Sequence, residues 1–590
     1  MFMKKIVVFI ILICFSTVSG YAQTVTIPQA IENIKTFAKL YGYVKYFYPG
    51  DEASDLDWDY FAIYGCEQIE NCSSADELII KLKELFTPVA PAIVIFKSAD
   101  NAIFDVKNIT PKKLKGYQQI YWQYLGLKDK TKPNTYRSLR VNRNKITQPL
   151  FDFKPVIGQS INKQIGQEIS CIVPVCLYGD ENNTYPKADA KKLKKLNTAI
   201  SNTGQIAAKS LYTHLGDLVI TYNVLQHFYP YFDVVKTDWF AAFDSALKEC
   251  YVSTDQIEFL STLEKFTAQL QDGHVRVYLK ESTNGYLPPV KWEFIENKLV
   301  ITKVLSDIIK IPVGSIADSV NGIPAATFFM LKSANIPAPT KGYFNHRLEY
   351  ESLTGSQYDS LTFSFTTPEG KQNKIKIGRN LSANDYYKLI KNKTQVKSIS
   401  PGIIYINLDQ ASMEDIDNVM DQLVKAKAII CDLRGYPNKN HEFIQHLLSA
   451  NDTDSSWMRV PEIIYPDHQI SGFKNEGWKL ETKEPHLNAK IVFIIDGTAI
   501  SYAESFMGFI EGYKLATIIG EPTAGTNGNV NTIILPGGYS FRFTGMKVVR
   551  HDGTQQHDIG ILPNIYVNKT IKGIVEGRDE FLEKAIDLVK

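Results

Sequence analysis

The sequence has no dominant sign of charge. Lys and Arg number 65 and Asp and Glu 63, a formal net charge of +2 over 590 residues. A balanced chain carries no global field toward nucleic acid or an anionic membrane, so neither is an expected partner. Long apolar runs are missing as well. After Phe15 no stretch reaches the roughly 18 apolar residues of a spanning helix, so the mature chain is expected to be soluble, with no stable membrane insertion. Cysteines number only 7, no pair has zinc-finger spacing and no His-Glu-x-x-His occurs, so neither a structural metal nor a cofactor is expected. Gly520 to Gly528 lacks the Lys-Ser/Thr of a phosphate-binding loop, which disfavours a nucleotide enzyme. Nothing marks two carboxylates with divergent environments, which disfavours a glycan hydrolase. No repeat of fixed period is present.

The composition itself is ordinary for a globular chain. It is 44% hydrophobic, 22% charged and 12% aromatic, which excludes a collagen-like, low-complexity or mainly disordered protein. At one domain per roughly 150 residues, about four domains are expected.

The N-terminus reads as a signal peptide. Lys4 and Lys5 precede the apolar run Ile6–Phe15, and Gly20 and Ala22 set a cleavage site after Ala22. The mature chain is therefore expected to be periplasmic or secreted. Cys14 leaves with the signal. Among the remaining cysteines, Cys66 with Cys72 and Cys171 with Cys176 are the locally plausible disulfide pairs of an exported protein, and Cys431 reads as a buried thiol.

Residues 23–100 read as helical, with apolar spacing at Ile31, Ile34, Phe37 and Leu40 and a dense aromatic set taken as packing. Residues 101–203 read as a β-rich module, closed by a lysine-rich linker or exposed helix at 186–200. Residues 204–287 return to helix. Ser253 and Gln256 fit a capping box, and the helix is expected to end at Gln271-Asp272-Gly273, just before His274. Residues 288–378 read as a small β domain. From about 399 to 590 strand and helix alternate, as in an α/β layer. That stretch places a helix at Met413–Lys425, a buried strand at Ile491–Ile495 and a helix at Ser501–Gly512.

The buried strand Ile491–Ile495 runs into Asp496-Gly497-Thr498-Ala499-Ile500-Ser501-Tyr502-Ala503-Glu504. A serine at the first turn of a helix after such a strand is placed for nucleophilic attack, because the helix N-terminus offers N–H groups to a developing oxyanion. The same serine also fits a plain N-cap. A serine hydroxyl needs a base. His274 has the best local setting among the ten histidines, with His227, His346, His441, His551 and His557 as alternatives.

Further stretches share an order. Asp272-Gly273-His274, Asp432-Leu433-Arg434-Gly435, Ser501-x-x-Glu504, Gly520-Glu521-Pro522-Thr523-Ala524-Gly525 and Gly560-Ile561-Leu562-Pro563-Asn564 resemble, in sequence and spacing, the tail-specific (C-terminal-processing) serine peptidases over about residues 204–590. The resemblance implies an α/β multidomain fold: a Clp/crotonase-like peptidase core at 399–590, a PDZ-like domain at 288–398 and a helical segment before it. A mixed α + β region would precede these. It implies cleavage of peptide bonds in protein or peptide substrates. One branch of the family takes Lys from a Gly-Glu-Pro-Thr-x-Gly-Lys-Gly stretch as its base, and here Thr526 occupies that position. The other, tricorn-like branch uses a histidine from the helical region, and His274 matches it.

The resemblance thus implies Ser501 as nucleophile, His274 as base, and backbone N–H groups of Tyr502 and Asn438 as the oxyanion hole. The residue orienting His274 is left open between Glu504, Asp558 and a water, since Gln555-Gln556-His557-Asp558 holds no Glu. The oxyanion loop Gly435-Tyr436-Pro437-Asn438-Lys439 lacks the family's paired glycines. Two functions follow: an exported serine endopeptidase, or an inactive relative that grips peptide tails by strand addition to the PDZ-like domain.

Overall fold

The structure is a computed structural model. It describes residues 25–590 apart from 101, 129–134, 144–146, 204–209, 254, 281–283 and 392. The signal segment therefore lies outside the described residues.

The two helical stretches expected as separate units share one core. Ile27–Phe47 begins on Thr26, whose hydroxyl accepts the Gln29 N–H. It packs with Trp58–Ile69 and Ala75–Phe86 against Leu211–Phe228, Trp239–Val252 and Gln256–Ala268. The aromatic set is core, as expected: Phe37, Tyr41, Phe61 and Phe86 are fully buried. A buried aromatic of this size contributes about 3–5 kcal/mol against truncation to alanine.

The 101–203 module is not closed on itself. Its strand Gln118–Leu125 pairs antiparallel with Met458–Ile463, Tyr124 opposite Ile463, so one sheet runs from the N-terminal region into the C-terminal half. Backbone hydrogen bonding extends across the sequence boundary because an unpaired strand edge would leave its N–H and C=O groups without partners.

The expected capping box at Ser253 is replaced. Asp255 is the N-cap and accepts the Ile257 and Glu258 N–H groups, because one carboxylate satisfies two orphan donors. That helix ends at Ala268. The left-handed residue after it is Gln271 at φ 49°, not Gly273. The expected helix 413–425 is two short helices, Met413–Asp417 and Met420–Lys425; the first stops at Asn418. The cysteines expected to pair do not: Cys66, Cys72, Cys171 and Cys176 are all free and buried.

Residues 290–378 form an antiparallel sheet of Val290–Ile295, Lys298–Val304, Ile316–Val320, Ser360–Thr366 and Gln372–Gly378, with Ile323–Pro324 on its third strand. The helices Ala325–Met330 and Lys341–Glu351 pack on it.

The C-terminal sheet runs in the order Val396–Ser400, Ile403–Asn407, Ala428–Asp432, Lys490–Ile495, Thr517–Gly520, Ile565–Tyr566. The first pair is antiparallel and the others parallel. Its central strands are apolar on both faces, as a doubly covered sheet requires. Alternate residues serve different cores: Ile429, Cys431, Ile491, Phe493 and Ile495 meet the helix Tyr502–Gly512, whereas Ala428, Ile430, Val492 and Ile494 meet Glu580–Val589. The turns after Asp432, Ile495 and Gly520 consequently emerge side by side at the carboxyl ends of adjacent parallel strands, where open α/β sheets bind their ligands.

Candidate active site

After Ile495 the chain turns sharply. Asp496 Oδ1 accepts the Thr498 N–H at 2.9 Å and its hydroxyl at 2.5 Å, and the Asp496 carbonyl takes the Ala499 N–H at 3.1 Å. Ser501 follows at φ 60°, ψ −115°, a conformation that costs a side-chain-bearing residue about 1–3 kcal/mol. Its hydroxyl makes no capping hydrogen bond to the helix Tyr502–Gly512. The plain N-cap reading therefore does not describe this serine. Tyr502 stands at the first helical position, where a backbone N–H has no intrahelical acceptor.

The histidine arrives from the other side. Gly273 is required by proximity: a Cβ there would stand 2.8 Å from the Tyr343 ring, 2.9 Å from Thr526 Oγ1 and 3.1 Å from the Ile500 side chain. The Gly273 N–H donates to the Thr526 hydroxyl at 2.8 Å, and the Thr526 carbonyl accepts the Ser501 N–H at 2.9 Å. Thr526 thus pins the turn before His274 and the turn at Ser501 to one residue. It is fully buried.

His274 is buried. Its Nδ1 lies 2.9 Å from Thr544 Oγ1, and its backbone N–H donates to Asp272 Oδ1 at 2.9 Å. Burial, aided by the nearby Arg542 and Arg276 charges, pushes the imidazole down to about 3. Neutral imidazole is the form a general base requires. Burial also raises the Asp272 carboxyl above its ordinary value, opposed by hydrogen bonds from Thr544 and His274.

Two expected roles are corrected. Glu504 does not orient His274. It is fully buried and faces the Gly520–Gly528 turn, accepting from the Thr523 hydroxyl and from the Gly525 N–H at 2.8 Å. Burial lifts its carboxyl to about 8. The Asp558 backbone N–H donates to the Gly525 carbonyl at 3.0 Å. The residues that touch the imidazole loop, Thr544 and Asp272, escaped sequence reading as its supports because Thr544 lies 270 residues away in an unremarkable strand.

The second correction concerns the oxyanion loop. The Asn438 N–H donates to the Leu408 carbonyl at 2.9 Å, so it is committed in this conformation. The turn that the missing glycines would have eased is made by Lys439 at φ 54°. Arg434 bonds Asp432 and Asp579 and ties this loop to the C-terminal helix. Beside it lies an aromatic wall: Tyr436 and Trp478 approach Tyr502, each with centroids 5.7 Å away, and the Tyr502 hydroxyl is 2.8 Å from His441 Nδ1.

The other candidate histidines belong elsewhere. His227 is buried among Tyr43, Tyr46 and Phe47. His551 stacks on Trp457, and His557 stacks on Tyr231 at 3.8 Å. His346 lines a cleft of about 680 Å³ between the antiparallel module and the C-terminal sheet, whose Glu293 pairs with Lys291 and Lys569. Ser501 and His274 are not among the residues lining that cleft, so its volume does not locate the chemistry.

The serine turn, the loops beside it and all but the first strand of the sheet lie within one matched stretch. Residues 402–567 match the profile of peptidase family S41. The S41 stretch includes Ser501, Thr526 and Thr544, whereas His274 comes from outside it. Among solved structures, mature CPAF is similar at 14% identity, covering 64% of this chain and 97% of that chain with a TM-score of 0.54. Mature CPAF complexed with lactacystin gives 14% identity, 64% and 98% coverage and a TM-score of 0.53. At such identity the likeness shows the fold. The photosystem II D1 C-terminal processing protease is a looser neighbour, at 13% identity, 62% and 96% coverage and a TM-score of 0.38. No curated protein sequence matches. The family match covers residues 402–567, a minority of the chain, and the structural likeness shows a shared fold. Among the described residues no helix is long and apolar enough to cross a membrane.

Proposed function

We propose that the chain is an exported serine endopeptidase in which Ser501 is the nucleophile and His274 the base. The carrying observation is Thr526, which holds the Gly273 and Ser501 backbones together through its hydroxyl and its carbonyl. The Ser501 hydroxyl would attack the scissile carbonyl as its proton passes to the imidazole, and the imidazolium would protonate the leaving amine. A base so placed contributes roughly 10²–10⁴ in rate. The Tyr502 N–H, at the first helical position, serves the oxyanion. The module at 290–378 is read as PDZ-like, presenting a sheet edge to peptide. Export rests on the Lys4–Ala22 segment, and release of a chain beginning at Gln23 would be read by intact mass of the exported protein.

The test is an alkyl fluorophosphonate probe. The wild type is expected to label, and Ser501→Ala and His274→Ala not to. An unlabelled, folded wild type that still binds peptide would favour the inactive peptide-gripping relative, a reading supported by the committed Asn438 N–H.

A further inference from the structure

We propose that Thr544 and Asp272 form a hydroxyl relay that fixes the tautomer and orientation of the His274 imidazole. The relay rests on the serine-peptidase reading, with Thr544 as a positioning residue. The strand Arg276–Leu279 pairs antiparallel with Tyr539–Thr544, Arg276 opposite Arg542 and Val277 opposite Phe541. Continuing that register by two residues sets position 274 across from position 544. The imidazole and the hydroxyl therefore face each other because of strand pairing.

The proton count decides the rest. Asp272 is fully buried, and its oxygens receive only donors. Oδ1 takes the His274 N–H and the Thr544 hydroxyl, each at 2.9 Å, and Oδ2 takes the Thr544 N–H at 2.8 Å. The Thr544 proton is thereby committed to the carboxylate, and only its lone pairs face His274 Nδ1, 2.9 Å away. Nδ1 must then carry the hydrogen. A neutral imidazole has a single N–H, so Nε2 is left bare as the proton acceptor. A buried Nδ1–H, hydroxyl and carboxylate all find partners in this one chain of bonds, and none is left unpaired.

During acylation, the Ser501 Oγ–carbon bond forms while the carbonyl π pair moves to oxygen and the serine proton moves to Nε2. The positive imidazolium then draws its Nδ1–H toward Thr544, whose own proton stays on Oγ1 and points at Asp272. The oxyanion pair then re-forms the C=O bond as the scissile C–N bond breaks; the C–N pair goes to nitrogen, which takes the proton from Nε2. No proton reaches Asp272. The carboxylate stabilises the imidazolium through one intervening hydroxyl, in place of the direct carboxylate contact of a Ser-His-Asp site.

The experiment compares wild type, Thr544→Ser and Thr544→Val. It uses fluorophosphonate inactivation, peptide kcat and KM, and 15N spectra of the imidazoles assigned with His274→Gln. The wild type is expected to show hydrogen on Nδ1 and a bare Nε2. Thr544→Val is expected to lose that preference and to drop kcat by up to roughly 10⁴-fold with little change in KM, as for a triad histidine left in the wrong tautomer. Thr544→Ser, which keeps the hydroxyl, is expected to stay within about threefold of wild type. A folded Thr544→Val that reacts at the wild-type rate overturns the relay, as does a wild-type spectrum with hydrogen on Nε2. If the wild type never reacts with the probe, yet its imidazole holds the Nδ1 hydrogen and Thr544→Val loses it, the relay stands and the peptidase reading falls.

Discussion

The carbonyl of Thr526 accepts the Ser501 N–H at 2.9 Å. The same residue's hydroxyl accepts the Gly273 N–H at 2.8 Å, so Thr526 joins the segments that carry Ser501 and His274. Thr526→Val is expected to leave the Gly273 N–H buried and unpaired, at a cost of about 1–3 kcal/mol. Chemical denaturation should show that loss, and the probe should react at least tenfold more slowly. Thr526→Ser should restore both, and a valine variant equal to wild type in both would remove Thr526 from this role.

Ser501 is strained at φ 60° and ψ −115°. Glycine adopts this conformation without penalty. Ser501→Gly is therefore expected to raise stability by about 1–2 kcal/mol while abolishing labelling. Ser501→Ala should be equally dead without that gain. Thermal unfolding of the two variants side by side distinguishes backbone strain from a general effect of removing the hydroxyl.

Glu504 holds the 523–525 turn and does not touch His274, so Glu504→Gln is expected to keep most activity. Its folded carboxyl titrates near 8, against about 4.5 unfolded. The folded state therefore binds the extra proton between these values, and the stability so conferred is present below 4.5 and lost as pH rises through 8. Wild type should lose melting temperature between pH 6 and pH 8, and Glu504→Gln should lose less. A large drop in kcat for Glu504→Gln would return this residue to the catalytic set.

Acid acts on the histidines in the opposite sense. His274 and His557 are held near 3, and His227 and His468 near 4, all by burial. The unfolded chain takes up protons from about 6.5 downward and the folded chain does not, so stability falls as pH drops from 6.5 toward 3–4. Above that unfolding limit the base stays neutral. The rate of probe inactivation should remain flat well below pH 6.5, and an acid limb centred at 6.5 would show that His274 is not held down by burial.

Sequence alone was enough for the elements whose patterns are local. The apolar run 491–495, the serine after it, the helix at its heels and the aromatic core of residues 27–97 all follow from periodicity and burial of apolar side chains. Local sequence marks Gly273 as a helix end, whereas Tyr343, Thr526 and Ile500 crowd the place a Cβ would take there. The spacing of Glu504 from Ser501 points to the site, but its carboxylate turns to the adjacent loop. Asn438 looked available in sequence and is held by Leu408.

What only the tertiary structure decided is which groups touch. Thr544 meets His274 because two strands pair in one register, and no pattern within either segment encodes that register. Local sequence sets backbone conformation and which face is apolar, through forces that act over a few residues. A hydrogen bond between positions 274 and 544 depends on how distant segments pack, and packing is settled by the whole core at once.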